Sequence, residues 1–292
     1  MLAAISDNAA EIASLIAAGA DTEKRDKDGC TPLIIAAMSG HVESCNALII
    51  AGANVNAKSI DGRTALYCAV MLDDMLDDDE FLNCAKTLIA AGADVNAKTN
   101  QGVTALIAAA AGDNANCIGV LISAGADMSA RSADGGTALM YAASKGRVKC
   151  VRCLLEAGAD VHETYENGWT VLMYAAQNGH SDCVDVLITA GVDVNVKNTS
   201  TALITASGGG HIHCVKSLIA ANADVNAKND KGGTALIAAA ISGNADCVRQ
   251  LISAGADLWT EYNGLTAADA AATKGHTECF DLLVTAGAEQ RA

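Results

Sequence analysis

The sequence predicts an all-α protein built from repeated helix pairs. Hydrophobic residues make up 51% of the chain but aromatic residues only 3%, so the apolar content is mostly small aliphatic side chains. Such a composition favours closely packed helices over sheets. A threonine that opens an apolar run returns at Thr31, Thr64, Thr104, Thr137, Thr170, Thr201, Thr234 and Thr266, at intervals of 33, 40, 33, 33, 31, 33 and 32 residues. A period near 33 predicts stacked copies of one supersecondary unit.

Each unit has the pattern of a helix, a tight turn, a second helix and another turn. We expect the threonine hydroxyl to cap the first helix. A recurrent glycine marks the turn between the helices, at Gly40, Gly146, Gly179, Gly210, Gly243 and Gly275. Another is expected in the left-handed cap that ends the second helix, at Gly52, Gly92, Gly125, Gly158, Gly191, Gly255 and Gly287. Neither short helix can bury its apolar face alone, so neighbouring repeats must stack.

The repeated segments "TPLIIAAMSGH", "TALMYAASKG" and "TVLMYAAQNGH", each followed by a run such as "CVRCLLEAGADV", resemble the ankyrin repeat family from about Ile5 to Gly287. The resemblance implies an all-α solenoid of helix-turn-helix units with β-hairpin fingers. It also implies a non-catalytic protein–protein interaction or scaffold module that binds its partner through finger tips and a concave groove. The chain departs from the family pattern, because the proline survives only as Pro32 and the histidine after leucine is replaced, for example by Ile107 and Met140.

The predicted organisation is a single ankyrin-repeat domain over residues 1–292. It comprises a partial amino-terminal cap at 1–27, seven full repeats at 28–262 and a carboxyl-terminal capping repeat at 263–292. An acidic insert near 71–80, "MLDDMLDDDE", lengthens one repeat between its two helices. It is either a solvated extension of the helix ends or an acidic docking knob for a basic partner. The finger before Thr201 is short by two residues and "SGGGH" follows it, so we expect the softest joint at 196–210.

Net charge restricts the class of partner. The formal charge of −15 and the pI near 4.6 disfavour a nucleic-acid or anionic-membrane surface. No apolar run approaches the length of a membrane span, and the amino terminus lacks the pattern of a signal peptide. We therefore expect a monomer in a reducing, cytoplasmic compartment that binds a protein partner.

A cysteine recurs four residues after each turn glycine or its equivalent, at Cys84, Cys117, Cys150, Cys183, Cys214, Cys247 and Cys279. Equivalent positions in stacked repeats lie about 8–10 Å apart, beyond the ~7 Å between Cα atoms that a disulfide allows. We expect these thiols to be buried core residues, with Cys153 of the "CVRC" segment on the same buried stripe. Cys30, on a finger beside Gly29, is expected to be exposed and the most reactive thiol.

No nucleophile elbow, phosphate loop or zinc motif is present, so no enzyme, metal or cofactor is predicted. Four histidines, His41, His180, His211 and His276, follow the turn glycine and are expected to be turn residues. The alternatives to a scaffold are a regulatory or inhibitory subunit of a partner enzyme, or a secreted effector of a protist or bacterium.

The partner site is predicted at an unusual finger. Tyr165, Glu166 and Trp169 fall together where neighbouring fingers carry small or polar residues, and an aromatic anchor ringed by polar groups is typical of an interface hot spot. The predicted ring consists of Ser144, Lys145, Gln177 and Asn178. A second, weaker candidate is the last finger, with Trp259 and Tyr262. In the alternative interpretation, these aromatic rings only cover neighbouring fingers.

Overall fold

A computed structural model describes residues 1–71, 78–165 and 167–289. Over these ranges the chain forms eighteen α-helices and no regular strand. The helices are α1 Leu2–Ile5, α2 Ala9–Ala17, α3 Pro32–Met38, α4 Val42–Ile50, α5 Ala65–Val70, α6 Asp78–Ala90, α7 Ala105–Ala111, α8 Ala115–Ser123, α9 Ala138–Ser144, α10 Val148–Glu156, α11 Val171–Gln177, α12 Ser181–Thr189, α13 Ala202–Gly209, α14 Ile212–Ala220, α15 Ala235–Ser242, α16 Ala245–Ser253, α17 Ala267–Lys274 and α18 Thr277–Glu289. The predicted all-α class is confirmed.

Threonine caps begin the first helix of nearly every pair. The hydroxyl accepts a hydrogen bond from the backbone N–H three residues later, and the threonine backbone itself is extended, at Thr31, Thr64, Thr104, Thr170, Thr201, Thr234 and Thr266. At the last of these, Asp269 returns a hydrogen bond to the capping threonine and completes a capping box. Each cap stabilises its helix by about 1 kcal/mol, and the predicted role of the threonines is confirmed.

The turn glycines make room for a ring from the next repeat. Gly146 has a φ of +74°, and a Cβ built there would lie 2.6 Å from His180 Nδ1. The same ring is hydrogen-bonded through Nε2 to the carbonyl oxygen of Ser144 at 3.0 Å. Nε2–carbonyl bonds of 2.9 and 3.1 Å also join His211 to Gln177 and His276 to Ile241, and His41 reaches the Ala4 carbonyl through Nδ1 at 2.9 Å. The histidines are turn residues, as predicted, and they also tie each repeat to the one before it.

Two compact units are distinguished. The first comprises residues 1–142 and 149–159, in which α1 is a single helical turn of four residues. First helices α3, α5 and α7 pack in order, and so do second helices α2, α4, α6 and α8. Helix α6 begins six residues before Cys84, whereas α4 begins three residues before Cys45, so part of the acidic insert extends a helix. Residues 72–77 of the insert lie outside the described ranges.

The second unit comprises residues 143–148 and the described chain from 160 onward. Its first helices α11, α13, α15 and α17 pack in sequence, and so do its second helices α12, α14, α16 and α18. Leu172, Leu203 and Leu236, from successive first helices, are each 1% exposed and form one layer of the core. Each repeat therefore buries its apolar stripe against its neighbours, as the repeat pattern predicts.

The prediction for Gly287 is wrong. Helix α18 continues through this residue to Glu289, and Gly287 has no positive φ, unlike the other six glycines predicted to end second helices. A Cβ at Gly287 would lie 3.3 Å from the Trp259 ring, within the tight range for such contacts. The glycine is therefore explained by the close approach of an aromatic ring and not by the end of a helix.

The fingers are tight turns. A representative finger is closed by Ser59 N–H donating to the Arg63 carbonyl at 2.9 Å and by Gly62 N–H donating to the Ser59 carbonyl at 3.0 Å. Only isolated bridges, Thr164 with Thr170 and Tyr262 with Leu265, occur in the described part of the chain. The fingers thus occupy the expected places without forming regular strands.

Asparagines join successive fingers. Asn195 Oδ1 accepts from the Asp224 backbone N–H at 2.7 Å, and its Nδ2 donates to the Asn222 carbonyl at 3.1 Å. The same two bonds are made by Asn56, Asn96 and Asn226 to the finger that comes after each of them. Trp259 stands at this repeat position in the last finger.

Candidate functional site

An aromatic cluster lies where the sequence predicts the partner site. The finger closes through Tyr165 N–H, which donates to the Trp169 carbonyl at 2.9 Å, and Gly168 N–H, which donates to the Tyr165 carbonyl at 2.8 Å. Both rings then meet Tyr174 of α11, with ring centroids 4.4 Å from Tyr165 and 5.1 Å from Trp169. Tilted aromatic pairs at these separations are mutually attractive.

The three rings differ in accessibility. Tyr165 is 9% exposed, so it supports the cluster and does not offer a ring to a partner. Trp169 is half-buried, and its Nε1–H donates to Thr199 Oγ1 in the next finger at 3.1 Å. The interpretation that these rings cover neighbouring fingers therefore holds for the part of Trp169 that reaches Thr199, whereas Tyr165 packs on helix α11 and the rest of the indole lies at the surface. Glu166 lies outside the described residues.

Tyr174 was missed by sequence reasoning. Its hydroxyl accepts from Asn167 Nδ2 at 3.1 Å, so it fixes both the finger backbone and the two rings. A signal was available, because a tyrosine also follows "TALM" at Tyr141, where the hydroxyl lies 2.8 Å from both carboxylate oxygens of Asp134. A tyrosine at this position of the first helix thus anchors the finger that precedes it.

The predicted polar ring is partly assembled. Asn178 is exposed, and its Nδ2 donates to the carbonyls of Tyr174 at 3.0 Å and Ser144 at 3.2 Å. Gln177 and Lys145 are exposed beside these two residues in the chain. The structure therefore connects Trp169, through Tyr174 and Asn178, to Ser144 along one surface. We call this surface, with Lys145 and Gln177, the first-helix face.

The second candidate lies at the last finger. Trp259 is 47% exposed, Tyr262 is half-buried, and the Trp259 ring lies over Gly287 of α18. The ring lines a pocket of about 340 Å³ together with Leu258, Leu283 and Val284. This site is more apolar than the first-helix face, and Lys145, Gln177 and Asn178 have no counterpart in its lining.

The recurrent cysteines are core residues. All seven, Cys84, Cys117, Cys150, Cys183, Cys214, Cys247 and Cys279, are at most 1% exposed, which confirms the predicted packing role. Burial raises the pKa of both Cys214 and Cys247 to about 11, so their thiols stay protonated at neutral pH. Protonated thiols are poor nucleophiles and poor metal ligands.

Two expectations about individual thiols need correction. Cys153 is half-buried, so the "CVRC" helix does not bury both of its cysteines. Cys30 is half-buried as well, and burial together with the carboxylates of Asp26 and Asp28 raises its pKa. Fewer thiolates form at neutral pH as a result, although Cys30 and Cys153 are the two cysteines that are not buried, so the predicted order of reactivity stays a prediction.

Over the described ranges, no group of three or more histidine, cysteine or carboxylate side chains is placed to hold a metal ion. In the same part of the chain, no helix is long and apolar enough to cross a membrane.

Helix pairs of about 33 residues with threonine caps, glycine turns and asparagine-linked fingers define the class of repeat proteins that present an extended surface to other macromolecules. The family model for ankyrin repeats in three copies matches residues 1–99, 77–165, 158–229 and 203–292. The chain therefore belongs to the ankyrin repeat family, whose members are generally protein–protein interaction modules and typically non-catalytic.

A solved structure supports the same fold. The crystal structure of the human ASB11 ankyrin repeat domain matches with a TM-score of 0.68 at 29% identity, over 77% of this chain and 98% of that one. A comparison with curated proteins gave no match.

Proposed function

We propose that the chain is a non-catalytic interaction module that holds its protein partner on the first-helix face of the second unit. The observation that carries the proposal is the half-buried Trp169 ring, braced by Tyr174 and continuous with the exposed amides of Gln177 and Asn178. A braced aromatic ring loses little conformational entropy on binding, and tryptophan and tyrosine are enriched in interface hot spots.

The charge distribution supports this choice of face. Helices α11, α13 and α15 contain no Asp, Glu, Lys or Arg, although the whole chain carries a net charge of −15. Cores of protein interfaces are depleted in charged residues because each buried charge must be desolvated. Lys145 is the one charged side chain among the residues that define the first-helix face, so a partner can cover this face at low electrostatic cost.

The test changes an exposed residue of the first-helix face and leaves unchanged the side chains that contact Trp169. In Gln177→Arg a bulky charge enters the exposed edge, and we expect the dissociation constant of the partner to rise at least about tenfold. The partner is first captured from the cells that make the protein and is then purified for direct titration. The matched control is His213→Arg, which adds the same side chain at an exposed position of second helix α14. It is expected to change affinity less than about twofold.

Both variants should unfold like the parent protein, because neither replaced side chain is buried. Equal affinity of the parent and Gln177→Arg would contradict the proposal. If the captured partner is an enzyme that loses activity on binding, the chain is a regulatory subunit; if its activity is unaffected, the chain is a scaffold. Eleven unpaired cysteines, nine of them buried, support a reducing, cytoplasmic compartment, which a cell-fractionation experiment would check. We also expect a monomer, which sedimentation equilibrium would check.

A further inference from the structure

The second helices of the second unit carry a surface groove far larger than a single side chain needs. It runs between α16 and α18 and has a volume of about 600 Å³. Ile252, Leu282 and Ala286, all half-buried, form its apolar floor, while Arg249, Glu278 and Asp281 form its rim. None of these residues belongs to the first-helix face.

The preceding groove provides an internal comparison. Between α14 and α16 the corresponding depression has a volume of only about 280 Å³. Counted from the ladder cysteines Cys247 and Cys279, Arg249 and Gln250 there hold the repeat positions that Asp281 and Leu282 hold in the last groove. At these two positions the last groove therefore has a carboxylate where the preceding groove has a cation, and an aliphatic side chain where the preceding groove has an amide.

The rim of the last groove keeps a net negative charge. The Arg249 guanidinium lies 3.3 Å from Glu278 and 4.0 Å from Asp246, so its charge is already balanced. No cation pairs with Asp281 within the described ranges. The sequences of helices α12, α14, α16 and α18 together include six carboxylate residues, at positions 182, 185, 246, 278, 281 and 289, against the two cations Lys216 and Arg249.

We propose that the groove between α16 and α18 binds a basic amphipathic helix of a partner protein. Aliphatic side chains of that helix would lie on Ile252 and Leu282, and its lysine or arginine side chains would pair with Asp281 and Glu278. Along α18, from Glu278 to Ala286, the groove is about 12 Å long at 1.5 Å per residue. That length fits two turns of a helix whose apolar residues recur at i, i+3, i+4 and i+7. The net charge of −15 also draws basic segments toward the chain.

The experiment uses two labelled model peptides of about 16 residues. The first has leucine at i, i+3, i+4 and i+7 of each two turns and lysine at the outer positions, and its twin carries glutamate in place of lysine. Fluorescence anisotropy with the full chain is expected to show saturable binding of the lysine peptide and none of the glutamate peptide.

Two protein variants locate the binding. Asp281→Arg is expected to weaken the lysine peptide at least about tenfold, because it gives the last groove the charge of its predecessor. Asp185→Arg makes the same charge change at the equivalent repeat position of α12 and is expected to change affinity less than about threefold.

Equal weakening by both variants would show diffuse attraction to an acidic protein and would overturn the proposal, as would equal binding of the two peptides or no binding of either. Leu282→Gln tests the apolar floor of the groove separately, because this substitution leaves the net charge unchanged. It should weaken the lysine peptide by about tenfold at high salt, where the electrostatic contribution is screened, and an unchanged affinity would also overturn the proposal. Trp169→Ala should leave this binding unaltered, since that residue belongs to the first-helix face.

Discussion

The two tryptophans of the chain occupy two fingers of the second unit, one with a further finger stacked after it and one at the end of the array. Trp169 lies in a finger with a successor, and its indole N–H reaches Thr199 of that successor while its ring packs on Tyr174. Trp259 lies in the last finger, leaves 47% of its surface exposed and packs on Gly287 of helix α18. The same residue type therefore joins two successive fingers in one place and packs a finger against a second helix in the other.

The largest expected effect is a difference in stability between variants that lack one or the other tryptophan ring. Trp169→Ala should lower the free energy of unfolding by about 2 kcal/mol, roughly half the cost of removing a fully buried tryptophan. Trp259→Ala should lower it by about 1 kcal/mol or less, because much of that ring is already in water. Urea denaturation of both variants, followed by circular dichroism, measures the difference.

Equal losses would break this comparison by showing that the last finger is held as tightly as an interior one. Trp169→Phe is the matched control, since it keeps an aromatic ring next to Tyr174 but removes the N–H that reaches Thr199. About half of the loss should then be recovered.

Local structure was largely predictable from the sequence. A threonine cap and a turn glycine act on their own helix ends, so their effects follow from residue type and spacing, as at Thr170 and Gly146. The predicted cap at Gly287 failed because the identical "AGA" segment there meets a tryptophan ring and continues as helix.

The candidate site was less predictable, because it depends on contacts between repeats. Nothing in the residue type of Tyr165 shows that Tyr174 buries it, and the second of these residues was not predicted at all. The recurrence of asparagine at Asn56, Asn96, Asn195 and Asn226 was visible, but its reason lies in the backbone groups of the next finger.

The second prediction concerns those asparagines. Asn226→Ala removes both hydrogen bonds that join its finger to the last one, to Asp257 N at 2.8 Å and to the Gly255 carbonyl at 3.4 Å. Because the site is exposed to water, the expected loss of unfolding free energy is about 1 kcal/mol.

Ser129→Ala provides the control for this measurement. Ser129 stands at the same repeat position, but its hydroxyl bonds to Asp127 of its own finger, so the expected loss is below about 0.5 kcal/mol. If the two alanine variants are equally destabilised in denaturant titrations, the hydrogen bonds between fingers add no more stability than a bond within one finger.

The third prediction compares a buried position with its exposed equivalent. Ser207 is fully buried, and its Oγ has no hydrogen-bond partner. Ala240 is buried at the same position one repeat later, and Ala272 is exposed there in the last repeat. Ser207→Ala should therefore raise the free energy of unfolding by about 1 kcal/mol, since it removes an unsatisfied polar atom.

Ala272→Ser should have no measurable effect, because water satisfies the added hydroxyl. A destabilised Ser207→Ala protein would show that the hydroxyl has a partner after all.

The same region is predicted to open first, over 196–210, where the shortened finger closes by Asn198 N–H donating to the nearby Ser200 carbonyl at 3.2 Å. Amide hydrogen exchange should show lower protection there than in the repeat that begins at Thr234. The difference in protection should be smaller in Ser207→Ala.

The smallest expected effect is one in which an interior finger and the last finger should behave alike. The Asp257 carboxylate accepts from the backbone N–H of Trp259 and from the Thr260 hydroxyl, and these bonds hold its pKa below the usual range. Asp127, in an interior finger, has a lowered pKa because it accepts from the side chain and backbone of Ser129. Both effects arise within one turn, so the presence of a further finger should not matter.

A carboxyl group whose pKa is depressed by folding stabilises the protein above its unfolded pKa of about 3.9 and loses that contribution as the pH falls through the folded value. Asp257→Asn keeps a side-chain acceptor but cannot ionise, and asparagine already occupies the equivalent position at Asn54. The parent protein should therefore be slightly more stable than Asp257→Asn from pH 5 to 8, by roughly the same amount throughout, and the gap should close below about pH 4. Asp127→Asn should give a matching curve in urea titrations across this range. If the stability difference closes at low pH for one aspartate and persists for the other, the presence of a further finger affects the pKa of the finger carboxylates. Interior fingers and the last finger would then differ in their turns as well as in their tryptophan rings.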